Sequence, residues 1–193
     1  MGKIKSALEL AMEKTADMAI DRDMLKQKEL IRKGQILASS ILNKSEKDGA
    51  AKLQTYKGKD LIYVKKGMGE TLLSNIRLPL YLNSEDNLPI IKETFSLISK
   101  KEEIYSLVFS QLKELFEKFL DDIQNLTEGL KQQYMPVLRQ KQQQLMQQTG
   151  QNVQLEPEQD PEFLEILSKN RKALEDQYNN VIAQAKAELI KII

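Results

Sequence analysis

Leu53-Gln54-Thr55-Tyr56-Lys57-Gly58-Lys59-Asp60-Leu61-Ile62-Tyr63-Val64 is the stretch on which the fold class turns. Two short runs, Leu53 to Lys57 and Asp60 to Val64, flank Gly58. Their aromatic and β-branched content, with Lys57-Gly58-Lys59 between them, predicts a β-hairpin. A third run from Asn75 to Leu82 alternates Ile76, Leu78 and Leu80, and Pro79 confines it to a sheet edge. The expectation for residues 49–86 is a small hairpin or three-stranded meander, set between helical segments on either side.

Upstream, residues 1–48 hold no proline and one internal glycine, Gly34. Ile4, Leu8, Ala11, Met12, Thr15, Met18 and Ala19 share one helical face. Further along, apolar residues move to Ile20, Met24, Ile31, Ala38 and Leu42, nearly opposite. The spacing predicts a long helix that bends near residues 20–24 or buries its halves against different partners. A continuous helix over this segment would run about 68 Å.

Downstream, residues 87–193 read as an antiparallel helical hairpin. Ser84-Glu85-Asp86-Asn87 with Pro89 gives helix-start chemistry. The helical period then runs, with a break near Lys100, to about Gln148. Phe109, Leu112, Phe119, Leu120, Ile123, Leu130 and Tyr134 lie within about 60° of Phe116 on a helical projection, a wide burying face. Gly129 and Pro136 weaken the helix, and a kink is expected near Pro136. Ten glutamines fall between Gln132 and Gln154, which reads as a solvated helix end. Residues 149–160 form the loop. Asp160-Pro161-Glu162 then combines a cap, a first-turn proline and a first-turn acid. The last helix carries Phe163, Leu167, Leu174, Tyr178, Val181, Ala185, Leu189 and Ile192 on one face. The short loop makes it the antiparallel neighbour of the helix before it. The fold class is thus mainly α: an elongated long-helix bundle, or antiparallel coiled-coil hairpin, with a small central β element.

Composition narrows the chemistry. The chain has no His, no Cys and no Trp, which removes imidazole relays, thiol nucleophiles and the usual zinc ligands. Lys and Arg total 29 against 28 Asp and Glu, so no global attraction to a polyanion is built in. Acidic residues interrupt the first ten positions and their continuation, against a signal peptide. Met1-Gly2-Lys3-Ile4-Lys5-Ser6 fits the loose myristoylation pattern but reads as the plain start of a helix. No window approaches a membrane span, and the cytoplasm is the expected compartment.

Three constellations invite a functional reading. Glu114 and Glu117, and Glu162 and Glu165, form i, i+3 pairs on neighbouring helices. These pairs resemble those of helical nucleotide pyrophosphohydrolases, which would imply a Mg²⁺-dependent nucleotide hydrolase. Such sites need acids turned into the bundle, whereas these acids project away from both apolar stripes. Lys65-Lys66-Gly67-Met68-Gly69-Glu70-Thr71 lacks the spacing of a phosphate-wrapping loop and reads as a turn. Lys52, Lys57, Lys59, Lys65 and Lys66, with Tyr56 and Tyr63 among them, form a candidate anion-binding hairpin for nucleic acid or an anionic membrane surface. Edge protection by lysine explains the same residues.

In outline, long terminal helices around a small β element resemble the central-stalk subunits of rotary ATPases, without any motif of theirs. The expected function is a non-enzymatic structural or adaptor protein without a cofactor. It acts through helix-mediated protein contacts and self-association, because apolar stripes on long helices call for partner helices. The second half of the first helix and Leu189-Ile190-Lys191-Ile192-Ile193 are the expected surplus.

Overall fold

A computed structural model describes residues 7–46, 48–79, 87–150 and 154–193, with side chains from residue 22 onward. Its helices are α1 (Ala7–Leu42), α2 (Gly49–Gln54), α3 (Gly58–Asn75), α4 (Leu88–Ser96), α5 (Glu102–Thr149) and α6 (Pro161–Ile190), with one 3₁₀ turn at Pro157–Gln159. The myristoylation-like motif lies outside the described residues.

Among the described residues there is no strand, which overturns the expected β-hairpin or meander. Residues 53–54 close α2 and residues 58–75 form α3. The reason lies in a competing period. Leu61, Val64, Met68, Leu72 and Ile76 recur every three or four residues, straight through Gly67 and Gly69, and Val64, Met68, Leu72 and Ile76 are buried. Tertiary burial of that stripe overrides the local β preference of Ile62-Tyr63-Val64. The turn at Gly58 is real, with φ +57°, but it joins two helices. Asp48 starts α2 by accepting a hydrogen bond from the Ala51 amide at 3.2 Å. Residues 76–79 are also not strand, and the remainder of the third run lies outside the described residues.

The chain divides into two units. One comprises Met1–Ile76, Asn87–Tyr105 and Leu189–Ile193; the other comprises Arg77–Asp86 and Ser106–Glu188.

The first unit is built on the crossing of α1 and α3. Here Gly34 and Gly67 meet backbone directly. A Cβ on Gly34 would overlap the carbonyl oxygen of Val64, and one on Gly67 would overlap that of Ile31. Lys26 pairs with Asp60 at 3.0 Å, and Gln35 donates to Glu70 at 3.0 Å. Partners therefore advance together, and α1 and α3 run in the same direction, with α2 on the return path. Leu30, Leu37, Ala38, Val64, Met68 and Leu72 fill the crossing. Phe95 of α4 packs edge-on against Tyr105, ring centres 5.6 Å apart. The α1 backbone is one helix across residues 20–24. Of the expected second stripe, Ala38 is fully buried while Met24 is 47% exposed.

Residues 189–193 belong to this unit. Leu189 is fully buried, Ser99 Oγ donates to the Ile192 carbonyl at 2.8 Å, and Ile193 lies over Gly69. Of the expected apolar surplus, Leu189 is thus covered within the chain, while Ile190 and Ile193 remain exposed.

Substituting Gly34→Ala or Gly67→Ala drives a methyl into a neighbouring helix backbone, which cannot yield as a side chain would. The overlap outweighs the gain of about 1 kcal/mol that alanine brings to a helix interior. A net loss of about 1–3 kcal/mol is expected, or a melting midpoint lower by roughly 3–10 °C. An unchanged midpoint in calorimetry would refute this account of the crossing.

Candidate functional site

In the second unit α5 and α6 lie antiparallel. Tyr134 meets Phe163, ring centres 5.3 Å apart, and Phe119 meets Tyr178 edge-on at 5.1 Å. Partners thus recede along α5 as they advance along α6. These two aromatic contacts are the anchors of the hairpin. Tyr134, Leu138 and Phe163 form a buried cluster near the tip, with Leu130, Leu155 and Leu167 against it. The face predicted around Phe116 is the one α5 buries: Phe109, Leu112, Phe116, Phe119 and Tyr134 are all buried.

Each anchor carries a polar lock. At the tip, the Lys141 ammonium donates to Asp160 Oδ2 at 2.6 Å, Glu162 Oε2 at 2.8 Å and Tyr134 Oη at 2.9 Å. It also stands 5.5 Å from the centre of the Tyr134 ring. Asp160 accepts from the Glu162 amide through its other oxygen at 3.1 Å, so the cap predicted at Asp160-Pro161-Glu162 both starts α6 and ties it to α5. The hydrogen bonds to Asp160 and Glu162 hold the Lys141 ammonium well above the usual lysine range. Bonding to Lys141 in turn pulls the Asp160 and Glu162 carboxyls down. Near the other anchor, Tyr178 Oη donates to Asp122 Oδ2 at 2.6 Å. Burial, and then Asp122, push the Tyr178 phenol up to about 12. No periodicity in the sequence announces either lock, because both join residues far apart in the chain.

Between the anchors the seam is thin. No described residue from 120 to 133 on α5, or from 164 to 177 on α6, is fully buried. Leu120, Ile123, Leu126, Leu130, Leu167 and Leu174 are half-covered. Beyond Phe119 an open groove of about 640 Å³ is lined by Val108, Leu115, Val181 and Gln184, among others. Pro136 sits within α5 without ending it.

The candidate lysines are spread rather than gathered. Lys52 is on α2 and paired with Glu46. Lys57 caps α3. Lys59 and Lys66, seven residues apart, share an exposed stripe of α3 with Ile62. Lys65 turns inward and donates to the Ile98 carbonyl at 3.0 Å, and burial lowers its pKa. The hairpin that would have presented all five on one surface is absent. Of the acidic pairs, Glu117 lies 3.8 Å from Lys113, and Glu162 belongs to the tip lock. Among the described residues no three His, Cys, Asp or Glu side chains are grouped to hold a metal ion. Gly67 and Gly69 are interior helix positions, not a phosphate-binding loop. No described helix is long and apolar enough to cross a membrane.

The tip lock has a pH signature. Carboxyls whose folded pKa is depressed stabilise fully above their unfolded values and lose that contribution as pH falls through the folded ones. The melting midpoint should therefore decline below about pH 5. Lys141, raised in the fold, works at the opposite end: its contribution is complete below the ordinary lysine range and is lost as pH rises beyond it. Lys141→Met should lower the midpoint at pH 7 and flatten its decline between about pH 5 and 3. An acid limb of unchanged steepness in the variant would remove Lys141 as its cause.

No curated protein and no solved structure matches this chain. Residues 50–191, which span α2 through α6, match the Family of unknown function (DUF6657), and the chain belongs to that family.

Proposed function

We propose that this is a non-enzymatic structural or adaptor protein of the cytoplasm, whose α5–α6 hairpin engages a protein partner by helix packing. One observation carries the reading: the seam between the two aromatic anchors. Over about fourteen residues of each helix, roughly 20 Å of length, apolar side chains are in place but none is fully covered. Two helices alone cannot close such a seam, and a further helix laid along it would bury what they leave open. Exposed Val137, Ile166 and Val181 extend the same apolar surface. The lack of His and Cys, the exposed setting of Glu114, Glu117 and Glu165 and the engagement of Glu162 by Lys141 support a contact role over a chemical one. The scattering of the lysines withdraws the surface on which an anion-binding reading rested.

A photo-crosslinking residue placed in cells at Gln133, Ala173, Glu117 or Lys172 reports what lies against the hairpin. Covalent adducts to protein are expected at one or more of the four positions. A chain that forms none at any of them, while folded, would overturn the adaptor reading.

A further inference from the structure

We propose that the partner is a second copy of this chain, seated face to face on one side of the α5–α6 hairpin so that the two hairpins make a four-helix dimer. This rests on the adaptor reading and names its occupant.

The two broad sides of the hairpin differ in chemistry. In an antiparallel pair, residues displaced by the same rotation from each helix's buried stripe fall on the same side of the pair. One side carries Leu115, Leu126 and Val137 from α5 with Ile166, Ala173 and Val181 from α6. The charged groups beside them are Asp122, already bonded to Tyr178, and Glu188. The other side carries Lys113, Glu117, Glu128 and Lys131 with Lys172 and Glu175. The groove near Val108 opens on the charge-poor side. So does Gly129, where an added Cβ would meet no atom within 4 Å.

Three features select a second copy over another kind of partner. First, a surface almost without charge offers no complement to a strongly basic or acidic partner, while an identical surface meets it without like-charge repulsion. Second, the area suffices. From Leu115 to Val137, the stretch that a two-fold axis at Leu126 sets against its own copy, the face runs about 33 Å, and two helices side by side are about 20 Å wide. That is about 660 Å² per copy, or about 1,300 Å² in total, within the roughly 1,200–2,000 Å² of specific stable interfaces. Third, the relief is self-complementary. Val137, 38% exposed, stands eleven residues beyond Leu126, and Leu115 stands eleven residues before it. A two-fold axis at the level of Leu126 therefore brings the Val137 ridge of each copy to the groove at Leu115 and Val181 of the other. Gly129 and Ala173, near the axis, let the helices approach closely.

Light scattering on the full chain tests this, supported by disulfide trapping, since no native cysteine interferes. The expected mass at tens of micromolar is twice 22.2 kDa. Leu126→Glu with Ala173→Glu should raise the dimer dissociation constant at least about 100-fold, while Lys172→Glu on the charged side leaves it within about twofold. Circular dichroism confirms that each variant is helical. Leu126→Cys should link to itself across the axis under mild oxidation, and Glu117→Cys should not. A monomeric mass at all concentrations overturns the proposal, as does a dimer that survives the double substitution in a folded protein, or one that links through Glu117→Cys instead. If the chain is monomeric yet crosslinks in cells to a different protein, the adaptor reading stands and the second copy falls. If it crosslinks to nothing, both fall.

Discussion

Everything in the first unit follows from two glycines that bring helix backbones into direct contact. At Gly34 the carbonyl of Val64 occupies the space of a side chain, and at Gly67 the carbonyl of Ile31 does the same. Helices this close bury their facing surfaces deeply. Val64, Met68 and Leu72 are accordingly removed from water altogether. The close approach also explains why α3 tolerates glycines that would otherwise weaken a helix. Gly69 repeats the device on another side of α3, where Ile193 lies over it. One short helix is thus covered by α1, by α4 and by the segment after α6, and this enclosure makes it a helix against its own local preference.

The second unit solves a different problem. A two-helix hairpin has little interior, so its stability is concentrated where aromatic rings interlock and a polar group can be satisfied beside them. The tip uses Tyr134, Phe163 and the Lys141 ammonium with its two carboxylates. The other anchor uses Phe119, Tyr178 and Asp122. In both, a phenol puts its ring in the seam and its hydroxyl on a carboxylate. In the stretch between them the leucines are only half-covered.

What could be read in advance follows from range. The α5 face around Phe116, the interruption near Lys100 and the start of α6 at Pro161 depend on residues close in sequence, and these the amino-acid pattern states directly. The region around α3 depends on distant partners. Ile62-Tyr63-Val64 carries a strand-like local signal, and Gly67 and Gly69 look like a turn until α1 and Ile193 are brought against them. The i+4 recurrence of Val64, Met68, Leu72 and Ile76 carries the helical signal, and it runs across Gly67 and Gly69. The five lysines scattered for the same cause: once the hairpin becomes helix, a period of 3.6 replaces a period of 2, and Lys65 and Lys66 point to different surroundings. The likeness to rotary-ATPase stalk subunits loses its footing with the β element.

The docking of residues 189–193 sets an order of events during synthesis. Ser99 must wait for a carbonyl ninety-three residues later, and Gly69 waits longer still for Ile193. Between them the ribosome delivers the whole of α5 and α6. The hairpin can therefore zip while the earlier helices still lack their last piece, and the domain that is begun first is the one finished last. Any chaperone attending this chain would meet an uncovered side of α3 until translation has passed Ile193.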